Sequence, residues 1–300
     1  MPLPQASSSA RLWPIAAAAM GVALLSLMDA FMKEAALATG AYMATLLRSL
    51  MGAAIIAPIW LWKRESWPDK AAMKLHLERG IISAFMALSW FYAITKLPLA
   101  EAIAISFVAP LIALYFAKVL LGEEIQTQAI FASLLGFAGT LVIIGGRAGQ
   151  GAFDRDIVLG LAALLFSAVL YAYNFIVIRK QSQLAGPIEV ATFHSGIGGV
   201  ILLLAAPFLA GPVVVNAYAP IAGAAVLTVL GAMAIAWAYA RAEAQALVPL
   251  EYSAFLWASL LGWAFFREAV TIPTIAGTML IVSGCWIAAR KSANARETAS

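Results

Sequence analysis

Across 300 residues the chain is 63% hydrophobic and 11% charged, with a mean hydropathy of +0.91, whereas soluble domains carry about a quarter charged residues. This excludes a soluble catalytic domain and identifies an integral membrane protein whose first partner is the lipid bilayer. The net charge of +4 is no nucleic-acid footprint, because the basic residues are scattered through short loops between apolar runs, where they set topology.

Apolar runs long enough to cross a bilayer of about 30 Å fall near 12–32, 41–62, 77–96, 100–121, 127–146, 157–178, 188–210, 217–240, 246–266 and 272–289. All are expected to be helices, because in hydrocarbon each backbone N–H and C=O must be satisfied within its own segment. The first run follows Arg11 with no small-residue cleavage site, so it reads as a retained span. With the N-terminus inside, twelve loop Lys and Arg residues fall inside. Five fall outside: Lys33, Lys96, Arg147, Arg155 and Arg267. That bias places both termini in the cytoplasm of an inner-membrane protein.

The segment FYAITKLPLAEAIAISFVAPLIALYFAKVLLGEEI (91–125) aligns with AYARAEAQALVPLEYSAFLWASLLGWAFFREAV (238–270), setting Glu123 on Glu268 and Phe107 on Tyr252. GFAGTLVIIGG (136–146) likewise matches IAGTMLIVSG (275–284). Five spans per half force the second copy to insert upside down. The expected fold is an all-α integral membrane protein of ten transmembrane helices in two inverted five-helix repeats, residues 1–146 and 157–300, joined by a linker at 147–156. In such carriers the substrate site lies between the halves, and transport proceeds by alternating access.

These same stretches resemble the EamA-type repeats of the drug/metabolite transporter superfamily. The likeness covers nearly the whole chain and is carried by spans four, five, nine and ten. It implies ten helices with cytoplasmic termini and, within the family, similarity to YddG-type exporters of aromatic and other amino acids and to S-adenosylmethionine uptake carriers. An amino-acid exporter acting as a monomer is the favoured reading. S-adenosylmethionine-like uptake and broad drug efflux are the alternatives, and proton coupling is left open. The sequence departs from the family pattern where the second acidic turn has Arg267 in place of the glycine of the first.

An ionisable residue at membrane depth is costly and by default faces a cavity or a partner. Glu251 either stabilises the start of span nine or faces the cavity on a stripe with Ala254, Phe255, Ala258, Ser259 and Gly262. Arg48 either snorkels to the surface or binds a substrate carboxylate. Asp29 and Lys33 have the spacing of a helical ion pair, with Asp29 alternatively a gate residue. Glu101 reads as helix-start capping or as a gate, and the Glu123–Glu124 turn as a structural loop. Ser167, Tyr171 and Asn174 share one face that either bonds neighbouring helices or lines the path. His194 is a bundle hydrogen-bonding group or a proton relay. Among the aromatics Trp90, Tyr92, Trp237, Tyr239, Tyr252 and Trp257, the third-helix tryptophans Trp90 and Trp237 are a candidate pair of cavity walls for stacking and cation–π contact. The single Cys285 excludes an internal disulfide, and His76 and His194 lie far apart in sequence, so no metal or other cofactor is expected. No HExxH or GxSxG motif suggests an enzyme.

Overall fold

A computed structural model of the chain describes residues 8–63, 66–121, 127–149, 154–181, 183–239, 241 and 250–297. In chain order the helices are α1 (Ser8–Thr39), α2 (Ala41–Lys63), α3 (Lys70–Lys96), α4 (Leu99–Ser106), α5 (Ala109–Leu121) and α6 (Thr127–Gly149). They continue with α7 (Arg155–Gln181), α8 (Pro187–Leu209), a short 3-10 turn (Val215–Ala217), α9 (Tyr218–Tyr239), α10 (Ala254–Phe266) and α11 (Ile272–Glu297). Among the described residues seven helical stretches are long and apolar enough to cross a membrane, and three further apolar stretches, Leu134–Gly146, Ala254–Phe266 and Ile272–Gly284, are shorter. The outer surface is apolar: Phe208, Leu204 and Ile272 are among the side chains left open to lipid. The protein is a multi-pass, all-helical membrane protein.

Helix boundaries differ from expectation at several places. Helix α3 starts at Lys70, two turns before the apolar run, because the Asp69 carboxylate caps it by accepting the Ala72 N–H at 2.7 Å. The fourth span is broken: Phe107 and Val108 close tighter turns onto Ala104 O and Ile105 O, and Pro110, which lacks an N–H, cannot bond back to Ser106. A second break falls at Tyr252–Ser253, where Ser253 N–H bonds to Leu250 O at 3.0 Å.

The packing obeys a two-fold exchange. Helix α1 lies along α9 as α3 lies along α7, while α2 packs on α8 and α6 on α11. At the α6–α11 crossing, a Cβ on Gly139 would stand 2.5 Å from Gly277 O and 2.6 Å from Ile281. A Cβ on Gly277 would stand 2.5 Å from both Gly139 O and Ile143. Both positions therefore require glycine. They are the glycines of the repeated Ala-Gly-Thr, and Thr140 and Thr278 each bond back one turn, to Gly136 O and Thr274 O. Gly40 reverses the chain between α1 and α2 in a single residue at φ 84°, a conformation that glycine adopts without strain.

Candidate functional site

Five helices place polar side chains in the middle of this apolar bundle. On α1, the Asp29 carboxylate accepts the Trp90 indole N–H of α3 at 2.9 Å. On α2, the Arg48 guanidinium lies 5.2 Å from the Phe91 ring centre, also on α3, with its Nε buried and, among the described residues, without a hydrogen-bond partner. Asp29 and Arg48 are within electrostatic reach of each other, yet no ion pair joins them among the described residues. Tyr171 on α7 is within reach of both Asp29 and Glu251. His194 on α8 is within reach of Arg48 and Arg79, and its Nδ1 is likewise buried and without a partner among the described residues. Asp29, Arg48, Trp90 and His194 all retain some accessible surface, as the walls of an internal space do.

A second polar layer ties α3, α7 and α8 where α7 ends. Arg79 Nε donates to Asn174 Oδ1 at 3.3 Å and its NH1 to Gln181 Oε1 at 2.8 Å. That fixes the Gln181 amide, so its Nε2 donates to His76 Nδ1 at 2.7 Å. His76 Nε2 then carries the proton shared with Glu189, 2.9 Å away. The His76 imidazole is fully buried and stacks on Phe193, ring centres 4.5 Å apart.

The opposite end is closed by Lys33, only 4% exposed, which pairs with Glu268 and donates to Leu97 O at 2.7 Å. Glu268 Oε2 in turn accepts the Leu99 N–H at 2.8 Å. One ion pair thus joins α1, the α3–α4 link and the α10–α11 turn. The expected Asp29–Lys33 pair does not form: Asp29 turns to Trp90 and Lys33 to Glu268. A long-range carboxylate that also binds backbone satisfies a buried ammonium better than an intrahelical neighbour does.

Other expected residues fall outside the central group. Trp237 does not face Trp90; it is 41% exposed at the end of α9, with the Arg241 guanidinium 4.3 Å from its ring centre. Tyr92 lines a separate hollow of about 500 Å³ with Tyr42 and Ser89, and Lys96 lies 5.9 Å from its ring. Glu101, 3% exposed in the first turn of α4, accepts the Thr274 hydroxyl at 3.3 Å and so serves α4–α11 packing. Ser259 bonds back to Phe255 O at 2.7 Å, and Phe255 packs on the main core. Tyr252 meets Phe107 edge-on, ring centres 5.3 Å apart, so the two helix breaks touch through repeat-equivalent rings. Glu251 is exposed at the start of the broken ninth span. The Glu123–Glu124 turn, residues 242–249 ahead of Glu251 and the Tyr239 side chain lie outside the described residues.

Glu268, Arg79, Gln181, His76 and Glu189 were not anticipated. The repeat register points to Glu268, set opposite Glu123. A further repeat, Arg48-Ser49 before Gly52 against His194-Ser195 before Gly198, links the two residues with orphaned ring or guanidinium nitrogens.

The chain matches the EamA-like transporter family twice, over residues 12–145 and 158–290. It is similar to the pseudopaline exporter CntI of Pseudomonas aeruginosa, 25% identical over 87% of this chain and 90% of that protein. It is also similar to the S-adenosylmethionine uptake transporter of Rickettsia prowazekii, 25% identical over 69% of each. A shorter match links it to the aromatic amino acid exporter YddG of Ancylobacter novellus, 32% identical over 34% of each chain. A solved crystal structure superposes with a TM-score of 0.62, at 22% identity, over 98% of this chain and 100% of the other, which supports the fold. The protein belongs to the EamA-like transporter family of the drug/metabolite transporter superfamily, and is a transporter rather than an enzyme.

Proposed function

We propose that the protein exports amino acids across the inner membrane by alternating access, holding the substrate ammonium at Asp29 and its carboxylate at Arg48. The observation that carries this reading is the pair itself: opposite charges deep in the bundle, within reach of each other and not joined. Burying either alone is costly, and a zwitterion between them gives each an opposite charge. Arginine's planar fork suits a carboxylate. Trp90 fixes the Asp29 carboxylate, and the Trp90 and Tyr171 rings offer stacking surface to an aromatic side chain. Relatives that export pseudopaline and aromatic amino acids support export of a small polar metabolite, whereas the uptake relative shows that this scaffold also works inward.

In this reading both termini are cytoplasmic. The Lys33–Glu268 pair then closes the outer face, and the Arg79–Gln181–His76–Glu189 layer stands at the inner one. Counterflow in proteoliposomes with a panel of labelled amino acids tests substrate and direction together. Exchange of amino acids, with net efflux and no need for a second solute, is expected. Exchange of S-adenosylmethionine without any amino acid would overturn the assignment.

A further inference from the structure

We infer that the corner between α2 and α3 binds the headgroup of an anionic phospholipid. Helix α2 ends at Lys63, and α3 begins at Lys70 behind its Asp69 cap. Against the first turns of α3 lies a hollow of about 380 Å³ lined by Pro68, Asp69, Lys70, Met73, Lys74 and Leu77. Lys63, Lys70 and Lys74 are all exposed, and among the described residues none takes part in an ion pair or a cation–π contact. Lys70 and Lys74 stand one turn apart, where like charges repel, so an anion between them relieves that repulsion.

The chain entering α3 is anchored by ring contacts. Trp67 packs edge-on against Trp60, ring centres 5.1 Å apart, and Trp60 packs in the same way against Phe193. Trp62 and Trp67 remain 83% and 60% exposed, which places amphipathic rings at headgroup level.

The apolar side of the hollow is what selects a lipid over a soluble phosphate. From Leu77, 48% exposed, the stripe continues one turn at a time through Ile81, 47%, and Phe85, 50%. The lysines thus sit at the head of a lane running along α3 into the hydrocarbon, matching a phosphate with an acyl chain attached. The Asp69 carboxylate caps α3 through the Ala72 N–H, and its single negative charge leaves the three lysines in excess.

The test is retention of lipid by the full-length protein in native mass spectrometry, comparing phosphatidylglycerol, phosphatidylcholine and soluble glycerol 3-phosphate. Wild-type protein is expected to retain phosphatidylglycerol preferentially. Each lysine near a lipid surface contributes about five-fold in affinity, so Lys63→Gln/Lys70→Gln/Lys74→Gln is expected to lose at least about ten-fold of that retention. Lys118→Gln, an exposed change on α5, is expected to leave it intact. Equal retention of the two lipids, unchanged retention in the triple variant, or glycerol 3-phosphate binding as tightly as lipid would each overturn the proposal. All substitutions are exposed, and unchanged detergent-stable yield of the triple variant separates lost binding from lost folding.

Discussion

Trp90 of the first half and Trp237 of the second occupy matching sequence settings, Trp-Phe-Tyr-Ala and Trp-Ala-Tyr-Ala, yet their surroundings differ. Trp90 holds Asp29 inside the bundle, whereas Trp237 lies exposed under Arg241. The same divergence recurs along the repeat. In the register that sets Phe107 on Tyr252, Asp29 falls on Asn174; one residue out of that register, Arg48-Ser49 corresponds to His194-Ser195. The scaffold contacts, by contrast, are reciprocal: Gly139 on Gly277, with Ile281 against Gly139 as Ile143 is against Gly277, and Phe107 on Tyr252. A duplicated bundle keeps its glycines and rings because both copies need the same close approach, while one copy is free to concentrate charge. The opposite charges stand in the first half, with their neutral counterparts in the second.

Making the first half resemble the second should break transport. Asp29→Asn, and separately Arg48→His, are expected to lower counterflow by about 100-fold or more, the scale of a lost charge-assisted bond of about 3 kcal/mol, with membrane insertion unchanged. The converse changes at Asn174 and His194 should not restore it. Next in size is the reciprocal scaffold. Gly139→Val and Gly277→Val should each destabilise by about 1–3 kcal/mol through overpacking, and by similar amounts, read as the loss of thermal stability in detergent. Markedly unequal losses would show that the crossing is not symmetric.

A smaller effect is expected where Glu251 stands against Ser106. Glu251→Gln should reduce flux about ten-fold, the scale of about 1.4 kcal/mol for a weakened charge contact, while Ser106→Ala should change it little, because Ser106 only bonds back to Ile103 O. Wild-type flux from Glu251→Gln in proteoliposomes would remove the carboxylate from the site. The smallest effect is at Arg267, which ends α10 in the left-handed region at φ 56° where the first acidic turn has glycine. Arg267→Gly should stabilise by about 0.5–1 kcal/mol, seen as a small rise in melting temperature. A fall would mean that the contact of the Arg267 guanidinium with the Trp263 ring, 5.9 Å from its centre, outweighs the backbone strain.

Much of the fold was legible because hydrocarbon imposes helices on apolar runs and because the halves repeat. The broken fourth span was less so: Pro110 signals it, but an uninterrupted apolar run hides it. Within the site, Asp29, Arg48, Trp90, Tyr171 and His194 each stood out as polar or aromatic groups at membrane depth. Their convergence depends on packing among five helices and leaves no local trace. The partner of Lys33 is hidden in the sequence because a helical i, i+4 neighbour is visible there, whereas Glu268, 235 residues away, is not.

The most direct test of the charged pair is competition in counterflow between a transported amino acid, the amine that lacks its carboxylate, and the N-acetylated form that lacks its ammonium. If Asp29 and Arg48 hold opposite ends of a zwitterion, the intact amino acid competes, and each of the other two is weaker by about 100-fold. An amine or an N-acetyl derivative that competes as well as the amino acid would contradict the account.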